Sequence, residues 1–294
     1  FDDFSSRSSF VSETWMALKG MKGHVLNIAP TMEEIKKSPK IRPPFLHEMN
    51  SKQQKAWHSA YDPRNLRYQK LIQEGKLQGE TKSLYIYQRF IKDYVRCVDG
   101  LDDQIGRILN FLDEHNLTEN TLVIYSSDQG FFTGEHGWAE KRWMYEESFR
   151  SPLLMRWPKM VKPGTKITQL VQNIDLAPTF IKAAGLTPPE TVHGIALQPI
   201  LSNPSSRSWR KDILYQYFDG GTPTNRGPYN MPRHEGIRDK RYKLISFYDY
   251  KTWEFYDLKK DPEELHNLFN QESMKLEINR LQKRLRIKKA KFGL

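Results

Sequence analysis

The amino-acid sequence predicts an α/β core, in which helices flank a mostly parallel sheet, followed by a small C-terminal subdomain. Apolar residues recur at helical spacing from Lys82 to His115, and the apolar strand Leu122–Tyr125 follows after a short turn. An apolar strand directly after a long amphipathic helix is typical of an α/β unit in a parallel sheet. Short strands and one last helix follow beyond residue 205. We therefore expect a partial core domain over 1–205 and a small antiparallel sheet with a terminal helix over 206–294.

The first 80 residues are polar and irregular. Proline occupies positions 30, 39, 43, 44 and 63, and proline inside a helix removes a hydrogen bond and clashes with the preceding turn. We therefore expect only short helices here, at Ser12–Lys19 and Ser51–Ser59. The long helix that follows is expected to bend near Gly100.

The remaining elements follow from apolar runs and turn residues. Leu153–Trp157 is expected to be a strand that ends at Pro158, and Asp175 is expected to cap a helix that reaches Gly185. Four short strands are expected in the C-terminal subdomain, at Ile213–Phe218, Glu235–Ile237, Tyr242–Tyr248 and Glu254–Leu258. The last helix is expected at Ser273–Lys289.

The net charge of +11 is concentrated at the C-terminal end of the chain. Between Lys275 and Leu294 the sequence has eight basic residues and one acid, Glu277, so the other 274 residues carry only +4. We interpret this segment as a solvated helix face in preference to a nucleic-acid or glycan patch, and no nucleic-acid motif accompanies it. No apolar run reaches the roughly 20 residues of a membrane span. The single cysteine, Cys97, excludes an internal disulfide and a cysteine-rich zinc site.

Residues of catalytic and metal-binding type concentrate just after the Leu122–Tyr125 strand. Asp128 and Gln129 offer oxygen ligands that suit calcium or magnesium, and Gly130 allows the backbone to turn sharply behind them. Lys141 supplies a positive charge for an anionic substrate. Judged alone, each residue also fits an ordinary role, because an Asp at a strand end often caps a turn and a Lys in a loop is usually solvated. The residues by themselves leave both interpretations open.

The order and spacing of longer stretches resemble formylglycine-dependent sulfatases of the alkaline phosphatase superfamily. The resemblance extends from about Lys82 to Asn270, and within it the chain looks most similar to sulfatases of 6-O-sulfated N-acetylglucosamine and related glycosaminoglycan sugars. The stretches that carry it are Ser127–Pro158, Asn173–Thr179, Gly236–Ile245, Glu254–Leu258 and Asp261–Leu268. The resemblance implies an alkaline-phosphatase-like fold whose N-terminal part lies outside this sequence.

The resemblance also implies roles for individual positions. Asp128 and the following amide residue, here Gln129, correspond to calcium ligands, with magnesium less suited. Many members have Asn at the second position, so Gln129 is a variation with a longer reach. Lys141 corresponds to a residue that contacts the sulfate or its bridging oxygen.

Three further residues are candidates for binding the substrate. His136 corresponds to a loop residue near the pocket, where substrate contact and loop packing are equally good interpretations. Arg233 and His234 lie where related sugar sulfatases place substrate-recognition side chains. A plain surface loop is the alternative for that pair.

The nucleophile expected of such an enzyme is not found in this sequence. Family members convert the first residue of a Cys/Ser-x-Pro/Ala-x-Arg motif to formylglycine, and Cys97 lacks the Pro and Arg of that motif. Ser202 precedes Asn203-Pro204-Ser205-Ser206-Arg207, where the Arg falls one position too late, and it lies downstream of the metal residues instead of upstream. We therefore expect the formylglycine residue, and most calcium ligands, on an upstream segment that acts as the partner of this chain.

These observations favour a sulfatase that acts on a sulfated saccharide, with two alternatives. A phosphatase or phosphonate-ester hydrolase shares the scaffold, and a non-catalytic module for anionic glycans would explain the basic segment. Sulfated polysaccharides lie outside the cytoplasm, so a periplasmic, secreted or lysosomal location is expected.

Overall fold

The computed structural model describes residues 2–14, 16–18, 30–38, 44–225 and 231–294, and it divides into two compact units. The first unit contains Phe1–Thr14, Arg107–Phe132 and Glu140–Leu294, and the second contains Trp15–Gly106 and Thr133–Ala139. The boundary expected at residue 205 does not coincide with a boundary between these units. A division of the sequence at that point stays a prediction.

The described residues contain helices of very different lengths and mostly short strands. The α-helices are α1 Ser9–Ser12, α2 Met32–Lys37, α3 Pro44–His47, α4 Ser51–Gln73, α5 Gly79–Glu114, α6 Glu146–Phe149, α7 Leu176–Ala183, α8 Gln198–Ser202 and α9 Lys275–Lys291. The strands are β1 Val123–Ser126, β2 Phe132–Thr133, β3 Ala139–Glu140, β4 Leu153–Arg156, β5 Asp212–Tyr217, β6 His234–Asp239, β7 Tyr242–Phe247 and β8 Thr252–Asp257. None of the described helices is both long and apolar enough to cross a membrane.

Helix α4 is longer than the sequence predicts. It continues through Pro63 to Gln73, and Asn50 and Gln53 form a reciprocal capping box at its start. Trp57 packs on Ile35 and Leu46, and this apolar cluster fixes the first half of the helix. The expected short helix at Ser51–Ser59 is therefore wrong in length, because capping and packing outweigh the local cost of proline. The helix expected at Ser12–Lys19 falls partly outside the described residues, and α1 ends at Ser12.

Helix α5 confirms the long amphipathic helix expected from the sequence. Its 36 residues form one continuous α-helix that includes Gly100, and the bend expected near Gly100 stays a prediction. Gly100 has nothing near its missing side chain, and no packing contact favours a bend at that point. Apolar side chains on the helix remain exposed, including Val98 and Leu101.

The core strands of the first unit pair antiparallel. Strands β1 and β4 form a two-stranded sheet in which Val123 pairs with Arg156 and Ser126 pairs with Leu153. Strands β1 and β4 and the neighbouring strands of the C-terminal sheet are antiparallel, whereas the sequence led us to expect a mostly parallel sheet in the core. The chain between β1 and β4 forms loops, the two-residue strands β2 and β3 and the short helix α6, without the long crossover helix that usually connects a parallel pair.

The C-terminal antiparallel sheet and terminal helix confirm the subdomain expected from the sequence. Strands β5, β6, β7 and β8 pair in that order, each antiparallel to the next. Helix α9 packs on one face of this sheet. The buried residues of that core are Ile237, Leu244, Phe255, Ile278, Leu281 and Leu285.

The basic residues of α9 attach the helix to the sheet. Four of them form ion pairs with carboxylates on β5 and β6: Arg280 with Asp239, Arg284 and Lys288 with Asp212, and Lys289 with Glu235. Asp212 is buried. The prediction of a solvated basic face is therefore correct for only some of the basic residues of α9. The sequence does not show that carboxylates of β5 and β6 lie beside the others.

Candidate functional site

The turn that carries Asp128 begins where β1 ends. Asp128 is exposed, and the hydroxyl of Ser127 donates a hydrogen bond to its Oδ1 over 3.2 Å. No Lys or Arg of the described residues forms an ion pair with Asp128. The carboxylate is thus left available to a cation from outside this part of the chain, and the half-buried Gln129 adds an amide oxygen beside it.

Gly130 holds this turn against the backbone of α6. Its amide donates to the carbonyl oxygen of Ser148 over 2.9 Å. A Cβ added to Gly130 would lie 2.0 Å from the carbonyl oxygen of Glu147 and 2.7 Å from that of Arg150. Only glycine permits this close approach of two backbone segments.

Lys141 lies between two residues in an uncommon backbone conformation. Glu140 has a φ of 88° and Arg142 a φ of 102°, a region that residues with a β-carbon rarely adopt. Hydrogen bonds hold this turn. The Arg142 amide donates to Ser148 Oγ over 2.8 Å, and the hydroxyl of Tyr215 donates to the Arg142 carbonyl over 2.9 Å. Backbone strain of this kind occurs preferentially at functional sites.

The ammonium group of Lys141 is partly shielded from solvent. Its side chain is 31% exposed, and Nζ lies 4.0 Å from Glu140 Oε2 and 6.0 Å from the centre of the Phe131 ring. Glu140 is also bound by Arg142 Nη1 over 3.3 Å. Since the single carboxylate of Glu140 lies near both Lys141 and Arg142, it does not balance the charge of both, and the site keeps a net positive charge for an anionic ligand.

Ser148 joins the Asp128 turn to the Lys141 turn. Its carbonyl oxygen accepts from Gly130 while its hydroxyl accepts from Arg142, and the residue is buried. The turn that carries Asp128 and the turn that carries Lys141 are therefore both hydrogen-bonded to the same serine on α6. The sequence analysis missed Ser148 because no spacing rule links position 148 to both turns.

A buried ionic network fixes α6 in turn. The Lys243 ammonium lies 2.9 Å from carboxylate oxygens of both Glu146 and Glu264, and Glu264 also accepts from the Glu146 amide. Burial would raise the pKa of Glu146, but Lys243 and Arg238 outweigh it and hold the pKa at about 2. Burial raises the pKa of Glu264 to about 7 against the opposing effect of Lys243. The start of α6, and with it Ser148, is anchored to the C-terminal sheet.

His234 is fully buried among aromatic rings. Its ring centre lies 5.8 Å from that of Trp143 and 5.5 Å from that of Tyr215, and Nδ1 contacts the Pro232 carbonyl over 2.9 Å. Burial lowers its pKa to about 4, so the imidazole is neutral at physiological pH. His234 thus packs against Trp143, which follows the Lys141 turn, and against Tyr215, which is hydrogen-bonded to that turn. Its predicted contact with substrate stays a prediction.

Arg233 differs from its neighbour because it faces solvent. Its guanidinium binds both carboxylate oxygens of Asp249 over 2.8 and 2.9 Å, with the side chain 37% exposed. Such a two-point pair orients the guanidinium and leaves further N–H groups for an anionic or sugar ligand.

His136 belongs to the second unit. It is buried, its φ is 56°, and its ring lies 5.4 Å from that of Trp138. These contacts are of the loop-packing kind. Its predicted role in substrate binding stays a prediction.

A complete metal site is not formed by the described residues. No group of three or more His, Cys, Asp or Glu side chains lies close enough to hold an ion within the ranges that the structure covers. Asp128 and Gln129 fit a hard cation by their oxygen chemistry, but they supply only part of the six to eight oxygens that calcium takes.

Two protein families match this chain. The sulfatase family matches residues 40–186, and the family described as N-sulphoglucosamine sulphohydrolase, C-terminal, matches residues 134–291. The chain belongs to the sulfatase family. The alkaline-phosphatase-like α/β fold is thereby confirmed, and membership implies a metal ion and a formylglycine residue in general.

Several sulfatases are similar to this chain over most of its length. The N-acetylglucosamine-6-O-sulfatase of Bacteroides thetaiotaomicron is 38% identical over 274 residues, which is 92% of this chain and 48% of that protein. The human N-acetylglucosamine-6-sulfatase is 31% identical over 177 residues, 57% of this chain and 32% of its own length. The chain thus spans half or less of these curated relatives.

Solved structures show the same likeness. A protein in complex with its substrate D-glucosamine-2-N,6-O-disulfate has a TM-score of 0.89 and 36% identity, and the match covers all of this chain and 58% of that one. A phosphonate monoester hydrolase from Silicibacter pomeroyi has a TM-score of 0.63 and 22% identity over 70% of this chain and 42% of that chain, which shows a shared fold alone.

Proposed function

We propose that this chain is the C-terminal part of a carbohydrate sulfatase that hydrolyses sulfate esters on glycosaminoglycan-type sugars, with 6-O-sulfated N-acetylglucosamine as the substrate. The observation that carries the proposal is the double attachment at Ser148, which holds the Asp128 turn and the strained Lys141 turn together on α6. The similarity to N-acetylglucosamine-6-sulfatases supports the choice of sugar.

Asp128 and Gln129 would hold a calcium ion. Both offer oxygen, Asp128 has no cation partner among the described residues, and the loose coordination of calcium suits an exposed turn better than the strict octahedron of magnesium. When bound, the ion supplies fixed positive charge for the oxygens of the sulfate. The other ligands would come from the upstream segment.

Lys141 would donate a hydrogen bond to the sulfate or to its bridging oxygen. The ester bond breaks as negative charge moves onto that oxygen, and a cation held in a partly shielded place stabilises this charge more than a solvated one does. The strained conformation of Glu140 and Arg142 fixes where the lysine leaves the backbone. Preorganisation of this kind places the ammonium before the substrate arrives.

The formylglycine residue would lie on the upstream segment. Cys97 is exposed on α5, and its sequence surroundings lack the modification motif. We assign Arg233 and His136 to the recognition of the saccharide. For His234 we favour a role in holding the Lys141 turn in place, since its ring is buried against Trp143 and Tyr215.

The location we propose is outside the cytoplasm, in the periplasm, the lysosome or the secreted fraction. Sulfated polysaccharides are found there, and an enzyme that acts on them must reach them. Accessibility of the full-length protein to an impermeant protease in intact cells tests this location.

The experiment uses the complete protein with Asp128→Ala, Gln129→Ala and Lys141→Ala, and Lys162→Ala as an exposed lysine control. We expect Asp128→Ala and Lys141→Ala to lower kcat for 6-O-sulfated N-acetylglucosamine at least a hundredfold, with a melting temperature close to that of the unchanged protein. Calorimetric calcium titration should weaken for Asp128→Ala, weaken less for Gln129→Ala, and stay unchanged for Lys141→Ala. Full turnover in the Lys141→Ala protein would contradict the proposal.

The same protein separates the alternative activities. Faster hydrolysis of phosphonate or phosphate monoesters than of sulfate esters would favour the phosphonate-ester hydrolase, whose fold this chain shares. Binding of a sulfated glycan without turnover would favour a non-catalytic module.

A further inference from the structure

A basic groove lies at one end of the C-terminal sheet, in the first unit. Its volume is about 810 Å³. It is lined by residues 168–169, 204–207 and 209–211, by the β6–β7 turn at 239–242, and by Glu277, Arg280 and Arg284 of α9. Ligand pockets typically enclose roughly 300–1,000 Å³. Seven of its sixteen lining residues are Arg or Lys, against the two carboxylates Asp239 and Glu277. We call this the basic groove.

Three of these cations have no ion pair with any residue in the described ranges. Arg207, Lys211 and Lys240 are all exposed, and they come from two different segments of the groove wall. Since no carboxylate in the described ranges pairs with these three side chains, their charge is available to an anion that enters the groove.

The other cations of the groove are oriented by ion pairs. Arg241 binds Asp257 over 2.7 Å, Arg280 binds both Asp239 and Glu277 over 2.6 Å, and Arg284 binds Asp212. A guanidinium has five N–H donors, so these pairs leave some of the donors for a further ligand. Fixed donors recognise a sulfate group with less loss of side-chain entropy than mobile lysines do.

The basic groove is separate from the Asp128–Lys141 site. None of its lining residues belongs to the 126–150 segment. Tyr215, which reaches the Arg142 backbone, pairs with Gly236 in the sheet, and Asp239 of the groove lies three residues farther along β6. That spacing corresponds to about 10 Å along the strand.

We propose that the basic groove binds a sulfated oligosaccharide segment and so holds a polymeric substrate beside the reaction site. This inference rests on the proposed function, which supplies the class of anion. The part-buried Trp209 also lines the groove, with its indole N–H bound to the Leu170 carbonyl over 2.7 Å and the Arg210 guanidinium 5.4 Å from its ring centre. Nucleic acid fits less well, because binding of single strands relies on a series of stacking aromatic rings.

The test uses the complete protein with Arg207→Gln, Lys211→Gln and Lys240→Gln together. The matched control is Lys162→Gln, Lys182→Gln and Lys259→Gln, which removes the same charge at exposed positions outside the groove. Binding of a heparin-type octasaccharide is measured by calorimetry at several salt concentrations, alongside turnover of sulfated monosaccharide. We expect the groove variant to bind the octasaccharide about tenfold more weakly and with a smaller salt dependence, since each exposed charge pair contributes a few-fold. Its kcat/KM for the monosaccharide should be unchanged.

Equal loss of octasaccharide binding in both triple variants, or no loss in the groove variant, would overturn the inference. Equally tight binding of a single-stranded oligonucleotide of the same charge, lost in the same variant, would overturn the choice of a saccharide. The two proposals fail separately. If the unchanged protein shows no sulfatase turnover but the groove variant still loses octasaccharide binding, only the proposed function is contradicted. If turnover is normal and the groove variant binds the octasaccharide as tightly as the unchanged protein, only the role of the basic groove is contradicted.

Discussion

The contact between Gly130 and α6 leads to a prediction about a single methyl group. In Gly130→Ala the new Cβ would meet the Glu147 carbonyl oxygen at 2.0 Å, the Arg150 carbonyl oxygen at 2.7 Å and the Glu147 carbonyl carbon at 2.9 Å. All three are backbone atoms, so no side chain can rotate away. The two backbone segments must separate by roughly 1.4 Å to bring the closest of these contacts from 2.0 Å to an ordinary distance of about 3.4 Å.

The cost follows from that displacement. Overpacking of a well-packed region typically costs 1–3 kcal/mol, and we expect the upper end here, about 3 kcal/mol, because backbone lies on both sides. The displacement also stretches the hydrogen bond from the Gly130 amide to the Ser148 carbonyl, which is 2.9 Å long. Since Asp128 moves with the turn while Lys141 stays with Ser148, we expect kcat to fall about a hundredfold.

The assay is urea unfolding and turnover of 6-O-sulfated N-acetylglucosamine by the complete protein. Gly100→Ala is the matched control, because a Cβ at Gly100 meets nothing within 4 Å and alanine favours the helix by roughly 0.5–1 kcal/mol. Gly130→Ala with wild-type stability and wild-type kcat would refute the close approach of the two turns. A loss in Gly100→Ala of the same size would show that the effect is not local.

Three further predictions concern the support behind the site. Ser148→Ala leaves the Arg142 amide without its partner and should cost about 1–3 kcal/mol in unfolding free energy and lower kcat with little change in KM, as steady-state kinetics would show. Lys243→Met leaves the buried Glu264 without its cation and takes from Glu146 one of its two, since Arg238 remains; it should cost about 3–5 kcal/mol by urea unfolding, and Glu146→Gln with Glu264→Gln in the same chain should recover part of it. His234 has a pKa lowered to about 4, so the folded state binds fewer protons than the unfolded state between pH 6.5 and 4, and stability falls as pH falls through that window. His234→Phe should remove that fall, up to about 3 kcal/mol, and an unchanged pH profile in the variant would count against the buried neutral imidazole.

Periodicity in the sequence was enough to predict elements whose stability is local. The spacing of apolar residues located α5 and α9, and apolar runs bounded by turn residues located the four C-terminal strands to within a few residues. The predicted length of α4 was wrong, since the helix continues through Pro63. The Trp57 cluster that packs on its first half could not be predicted, because it forms only when Ile35 and Leu46 meet the helix. The same reason explains β1 and β4, whose antiparallel pairing depends on the path of the intervening chain.

Residue type and motif order by themselves determined which family this chain belongs to and which residues are candidates for metal and sulfate binding. Only the tertiary structure decided how they are held. Ser148 links the Asp128 turn to the Lys141 turn, and His234 lies buried against the rings of Trp143 and Tyr215. The physical reason is that hydrogen bonds and burial arise between segments far apart in the chain, and no local pattern encodes which segments become neighbours.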